Sequence, residues 1–412
     1  MPNFDVQHQA DPRLVPDTQI VVSDRLHADK NAVVEISARD SGNYGYDLSG
    51  ANKVIRFDIA SSHEALILAD SALEFDCVLS AGTTGVLDGS AHSLINRIRV
   101  LTKNGVVIED RDQYNLQYAI ESCQSMGAES ASKQWTDISD NLGQAEASKL
   151  DMATSRRVVL TPNMSLFKHV RALHLPVTGA LVMEVYLEKD NNAFSSGNTG
   201  LEYKITNPVF RAHMIPLESS HIDKLFQVAK SGKLVYHVPQ VYHTSNTFAN
   251  ASDSININYK VASARDITAV WRLSTDENTL GNKWVEKFQY LAGLSSLQLQ
   301  NSSDRYPTIP FSDPEQVYFE MLKANNEHND VSVGSQITRT RYTAADANDN
   351  TCPLFMYKQN LLRAGSHTGV DTSNALVLKA TYNGVANTQI DCFVAYDATF
   401  SVLSPNQALM TF

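Results

Sequence analysis

Short β-type runs separated by Asn, Asp, Gly and Ser recur along most of the chain, and this spacing constrains the fold more than any other feature. Val54 to Ile59, Ala72 to Leu79, Arg97 to Leu101, Leu181 to Leu187, Ile255 to Val261, Leu376 to Tyr382 and Ile390 to Val402 are such runs. Several alternate: Leu181, Met183, Val185 and Leu187 share one face, with Glu184 and Glu188 expected on the other, as a half-buried sheet requires. Arg97 to Asp110 reads as a hairpin turning at Lys103-Asn104-Gly105, because Asn-Gly supplies the positive φ angles of a tight turn. The pattern predicts an all-β sandwich protein.

At 412 residues the chain exceeds the size of one core, so two domains of roughly 200 residues are expected. Apolar residues make up 43% and charged residues 19%, which excludes a disordered or fibrous chain. The net charge of −11 argues against a surface built to grip phosphates, so direct sequence-specific nucleic-acid binding is not expected. The longest apolar stretches, Ala65 to Ala69 and Ala180 to Met183, are far too short for a membrane helix. Met1 to Asp11 is polar and lacks the basic start and apolar core of a secretion signal. The cysteines, Cys77, Cys123, Cys352 and Cys392, are scattered without a C-x-x-C pair and read as buried thiols.

Three segments have helical spacing. Leu116, Ala119, Ile120 and Cys123 recur at i, i+3, i+4 and i+7 behind the candidate cap Asp112. Ser220 and Asp223 resemble a capping box ahead of Ile222, Leu225, Phe226 and Ala229, with Gly232 as the stop. Asp313-Pro314 opens the third, which continues through Tyr318, Met321 and Leu322. The first and third each follow a strand cluster and precede more strands; Leu181 to Leu187 matches Leu376 to Tyr382, and Ile205 to Ile215 matches Ile390 to Val402. This order reads as a degenerate duplication: an N-terminal arm over 1–15, a first sandwich over 16–218, a linker helix over 219–232 and a second sandwich over 233–412. Two polar stretches, Glu129 to Leu150 and Asp346 to Thr351, read as surface loops.

No pattern completes a chemical site, so no catalytic, cofactor-binding or metal residue is assigned and no cofactor is expected. Gly82, Gly85 and Gly89 have the wrong spacing for a phosphate loop. His63-Glu64 lacks the second histidine of a zinc helix, since position 67 is Ile. His237 and His243 are six apart, which would put both on one face of an extended strand but leaves a metal short of ligands. Ser219, His221 and Asp223 sit at a helix start rather than converging as a triad, and Gly293-Leu294-Ser295-Ser296-Leu297 lacks the second glycine of a nucleophile elbow. Asp346-Ala347-Asn348-Asp349-Asn350 lacks the glycine and glutamate of an EF-hand. Asn163, Asn250 and Asn301 begin N-x-S/T sequons that read as chance matches.

The run from Leu87-Asp88-Gly89-Ser90 through Ile98-Arg99-Val100, the Asn104-Gly105 turn, Glu109-Asp110 and Tyr114-Asn115-Leu116 resembles the first jelly roll of double jelly-roll major capsid proteins. The likeness is to those of algal DNA viruses and of polinton-like and virophage-related groups. Tyr203 to Leu217, Tyr236 to Phe248, Arg305-Tyr306-Pro307, Val370-Asp371-Thr372-Ser373 and Asp391 to Leu403 extend it in order over most of the chain from about residue 50. The resemblance implies an all-β fold of two tandem jelly rolls and a structural protein, not an enzyme, in the shell of an icosahedral virion. It implies a homotrimer forming a pseudo-hexameric capsomer, with neighbouring capsomers, penton and minor capsid proteins as partners; it leaves open an internal membrane. The acidic balance suggests assembly sensitive to salt or cations. A β-sandwich receptor- or carbohydrate-binding protein, spike- or lectin-like, is the alternative. Its groove would need grouped aromatics, and Trp135, Trp271 and Trp284 are not grouped in sequence. A β-sandwich hydrolase would need carboxylates that sequence alone cannot pair in space.

Overall fold

A computed structural model describes residues 32–125, 152–232, 234–248, 252–257, 259–302, 304–327, 337–339, 342, 354–362, 369–372, 376–383, 387–404 and 407–411. The arm over 1–15, the loops Glu129 to Leu150 and Asp346 to Thr351, and Trp135, Asn250 and Cys352 lie outside these residues.

The first half supplies β1 (Ala32–Ser37), β2 (Val54–Ile59), β3 (Glu64–Ala81), β4 (Ile95–Thr102), β5 (Val107–Arg111), β6 (Arg156–Leu160), β7 (Leu181–Leu187) and β8 (Glu202–Pro216). They form two antiparallel sheets, ordered β1-β8-β3-β6 and β2-β7-β4-β5, with Leu173–His174 added on β3. The second half supplies β9 (Gln240–Phe248), β10 (Ser252–Ile257), β11 (Ala264–Leu273), β12 (Ser296–Asn301), β13 (Asp304–Phe311), β14 (Met356–Asn360), β15 (Leu376–Thr381) and β16 (Thr388–Tyr396). Their sheets are ordered β9-β16-β11-β14 and β10-β15-β12-β13. Each strand of the first half thus has a counterpart in the same place in the second. Apart from the β4–β5 and β12–β13 hairpins, consecutive strands cross between two facing sheets in both halves, which is the winding of a jelly roll.

Alternation of apolar side chains decides which faces meet. Phe57 on β2 and Val100 on β4 both stand opposite Met183 on β7, and Phe57 meets Phe210 of the facing sheet at 6.2 Å between ring centroids. In the second half Cys392 on β16 lies between Thr244 and Ala269, and the buried Trp271 meets Phe355 edge-on. Cys77, Cys123 and Cys392 are all buried.

The predicted hairpin is present, with Gly105 at φ +87° and its N–H donating to Thr102 O. The run Ile390 to Val402 differs from expectation: it splits at Asp397-Ala398, and Thr399–Ser404 leaves to pair with Leu234–His237 and Gln407–Thr411. Those C-terminal pieces pack on the first sandwich, where Leu234, Tyr236, Phe400 and Val402 join its core. Glu188, expected on a wet face, is buried instead, because Asn96, Asn115 and Asn192 donate side-chain amide N–H groups to its carboxylate.

Among the described residues, three helices of 11 or 12 residues fill connections. Helix α1 (Tyr114–Ser125) lies between β5 and β6, α2 (Ser219–Lys230) joins the sandwiches, and α3 (Pro314–Ala324) lies between β13 and β14. Asp313 caps α3 by accepting the Glu315 N–H at 2.7 Å, as the sequence pattern requires. The expected capping box of α2 is absent: Glu218 holds the cap position without a side-chain hydrogen bond. Its stripe still buries Ile222, Leu225 and Ala229.

Strand direction alternates along each half, so connections after odd-numbered strands gather at one end. In the first sandwich these are the segments 38–53, 82–94, 112–155 and 188–201; the opposite end has the tight turns 60–63 and 103–106 and the longer connection 161–180. The long segments 274–295 and 312–355 likewise share one end of the second sandwich, and segment 274–295 touches 188–201. Both sandwiches therefore present most of their long connections on the same side, 161–180 and 361–375 being the exceptions.

Candidate functional site at the seam between the sandwiches

The seam is built where β5 runs beside β9. Gln240 Nε2 donates to Ile108 O at 2.9 Å across it. At the end of β5 the chain turns through Asp112 and Gln113 into α1, and Gln113 adopts φ +49°. The carboxylate of Asp112 meets His243 Nδ1 of β9 at 3.3 Å. His243 Nε2 in turn lies 3.0 Å from Asp391 on β16, and Asp391 holds Arg272 of β11 at 2.8 Å. The Arg272 guanidinium lies over the Trp284 indole, 3.8 Å from its centroid, and donates to Trp284 O.

This chain of charges is mutually compensated and runs from the exposed Asp112 to the buried Asp391 and Arg272. Burial alone would raise the Asp391 carboxyl, but Arg272 and His243 overcome it and hold it at about 2. Burial opposes a charged His243, yet its bonds to Asp112 and Asp391 raise it above its ordinary value. The hydrogen bond from His243, against a smaller effect of burial, holds Asp112 below the usual carboxylate range.

Helix α1 completes the seam from the first sandwich. Leu116, Ile120 and Cys123 sit in the core of the second sandwich, and Ala119 packs with Trp284 and Val285. The loop ends are also tied: Val285 N–H donates to Asp88 at 2.6 Å, Asn278 N–H to Asn192 at 2.6 Å, and Lys189 pairs with Glu277 at 2.7 Å. A Cβ at Gly89, whose φ is +88°, would lie 3.2 Å from the Glu286 carboxylate, so glycine allows these loops to approach.

The residues singled out in the sequence do not converge on chemistry. His237 and His243 lie on different strands in different sheets, because the chain leaves Leu234–His237 before β9 begins; His237 contacts Asp397 at 3.3 Å. Ser219, His221 and Asp223 remain on one helix turn, with His221 3.8 Å from Glu218. His63 is exposed and Glu64 accepts from the Ser62 hydroxyl. Ser295 donates to Thr381 O and leads into β12. Asn163 and Asn301 donate their amides to Glu121 and to Asp371 O. Among the described residues, no group of three or more His, Cys, Asp or Glu is arranged to hold a metal ion, and no helix is long and apolar enough to cross a membrane.

Two titratable pairs escaped the sequence reading. Asp190 is raised to about 7 by burial and by the nearby Asp47, while its carboxylate accepts the N–H groups of Asp47 and Tyr203. His174 is lowered to about 4 by burial and meets the Tyr236 hydroxyl at 2.7 Å. A usable signal for the seam was present: Asp391 and Arg272 are charges inside otherwise apolar strands, which demands partners.

No family model matches this sequence, and no curated protein matches it. Solved structures do. The PBCV-1 virus capsid quasi-atomic model superposes with a TM-score of 0.61 over 93% of this chain and 97% of that one, at 10% identity. The fold is that of the double jelly-roll capsid proteins. The Faustovirus major capsid protein matches this double jelly roll with a TM-score of 0.60, 8% identity and 90% coverage of both chains. The mavirus major capsid protein matches with a TM-score of 0.53 and 12% identity over 94% of this chain and 91% of its own. Coverage of nearly the whole length means that both jelly rolls and their connection are shared, at an identity too low for sequence to have fixed more than the pattern.

Proposed function

We propose that the protein is a major capsid protein that builds the shell of an icosahedral virion, acting as a structural block and not as an enzyme. The observation that carries this reading is the repetition of one jelly roll in one chain, side by side and with long connections at a common end, in a fold shared end to end with viral capsid proteins. Two similar sandwiches per chain give three chains nearly six-fold sides, and a block with such sides tiles a flat facet through symmetric contacts. A trimer is therefore the working unit, with neighbouring capsomers, penton and minor capsid proteins as its partners. Its inner structural units are the sandwiches over 16–218 and 233–412, the linker helix over 219–232 and an arm over 1–15.

Light scattering coupled to size-exclusion chromatography tests this directly on the full chain. A trimer, or larger shells visible by electron microscopy, is expected; a monomer at every concentration and salt tried would overturn the reading.

A further inference from the structure

The loop ends of the two sandwiches enclose an open cleft of about 520 Å³. It lies at the long-loop end, since Tyr46, Gln113, Lys189 and Glu277 all come from connections there. Three aromatics far apart in sequence line it: Tyr46 and Tyr186 are half-buried in its wall, and Trp284, 6% exposed, lines it from the second sandwich. Trp284 is fixed from behind by Arg272, which is itself anchored by Asp391.

The chemistry of the wall selects a class of ligand by charge. Lys189 is neutralised by Glu277, and Glu188 is saturated by three asparagine amides and the Lys189 N–H. Lys53 lies 4.1 Å over the Tyr46 ring. No cluster of cations therefore faces a sulfate or carboxylate, and the polar wall does not suit an apolar ligand. What remains is amide and hydroxyl chemistry beside aromatic rings. Gln113 brings a buried side-chain oxygen with no hydrogen-bond partner among the described residues, held by the left-handed backbone at that position. Ser245, exposed on β9, adds a hydroxyl on the opposite wall.

Sugars present apolar C–H faces that stack on aromatic rings, together with hydroxyls that both donate and accept. Few other ligands need both while carrying no charge. From this juxtaposition we propose that the cleft binds a neutral oligosaccharide. The proposal rests on the capsid reading only in that side-by-side packing leaves this end open; the wall chemistry stands without it.

The test uses the full-length protein in its native oligomer, with maltotriose, mannotriose and N-acetylchitotriose as neutral probes and a heparin tetrasaccharide as the charged control, read by saturation-transfer NMR and titration. Binding of at least one neutral trisaccharide is expected, with affinity reduced at least tenfold in Tyr46→Ala and in Ser245→Trp. The second variant blocks the cleft from an exposed position without removing any core contact. Binding by none of the neutral probes, binding by the charged control alone, or wild-type binding in both variants would overturn the proposal. Oligomer mass measured on the same samples separates failure of the cleft from failure of the capsid reading.

Discussion

Helices α1 and α3 occupy the same place in the two jelly rolls, after the fifth strand of each, yet they are buried in different ways. Helix α1 hides most of its circumference, and its stripe of Leu116, Ile120 and Cys123 enters the core of the other sandwich. Helix α3 hides only Val317 and Met321, both in its own sandwich, and leaves Phe319 56% exposed. The difference lies in position along the chain of sandwiches. Helix α1 stands at an internal seam, where the neighbour is part of the same chain. Among the described residues, helix α3 has no such neighbour. Duplication of a fold thus copies the connections but not their environments.

The largest effect is expected from the charge chain beside α1. Asp391→Ala would leave Arg272 and His243 buried without their shared partner, with a loss of about 3–5 kcal/mol in denaturant unfolding. A loss under 1 kcal/mol would mean that the seam is held by α1 packing alone.

Leu116→Ala, at a fully buried position, should remove about 2–5 kcal/mol. Hydrogen exchange should show lost protection in both sandwiches, because the helix belongs to one and packs in the other. Met321→Ala, equally buried on α3, should loosen the second sandwich only. Matching protection maps for the two variants would remove the contrast between the helices.

Stability should also depend on pH in a direction set at the seam and near it. His243 is raised on folding, so its contribution is complete below about pH 6.5 and is lost as pH rises through its folded value. Asp190, raised from 3.8 to about 7, contributes in the same sense: its share is lost between those values as pH rises. Asp391, lowered from 3.8 to about 2, contributes above the first value and loses its share as pH falls through the second. Thermal midpoints should therefore peak in mild acid and fall toward pH 8, and His243→Gln should flatten the alkaline side of that curve. A midpoint that rises steadily from pH 5 to pH 8 would contradict the charge assignment.

On α3 the corresponding changes should be small. Lys323→Ala removes a half-exposed partner of Glu320 and should shift stability by less than about 1 kcal/mol. Phe319→Ser should stay within about 0.5 kcal/mol in the isolated chain, since the ring is already largely in water. A large loss from either would show that α3 is as deeply engaged as α1.

Much of the architecture was legible from residue order. Alternation in Leu181–Leu187 placed Met183 and Val185 inward, Asn104-Gly105 gave the hairpin, and Asp313-Pro314 fixed the start of α3. These are local effects, in which each residue's preference is satisfied by neighbours a few positions away. The pairing of Leu181–Leu187 with Leu376–Thr381 as equivalent strands was legible too, because helices and strands recur in one order.

The seam and the cleft were legible only in part. Asp391 and Arg272 announced that partners were needed, but nothing in the sequence named His243 and, beyond it, Asp112. Glu188 read as a wet-face residue because its three asparagine donors are brought in from three separate segments. Tyr46, Tyr186 and Trp284 line one cleft only because the ends of the two sandwiches face each other. By itself the sequence determined which residues form strands and helices and which faces turn inward, since those depend on spacing along the chain. Only the tertiary structure decided which core receives the α1 stripe and which charges neutralise one another. Those depend on distances between residues far apart in sequence, and no local preference encodes them.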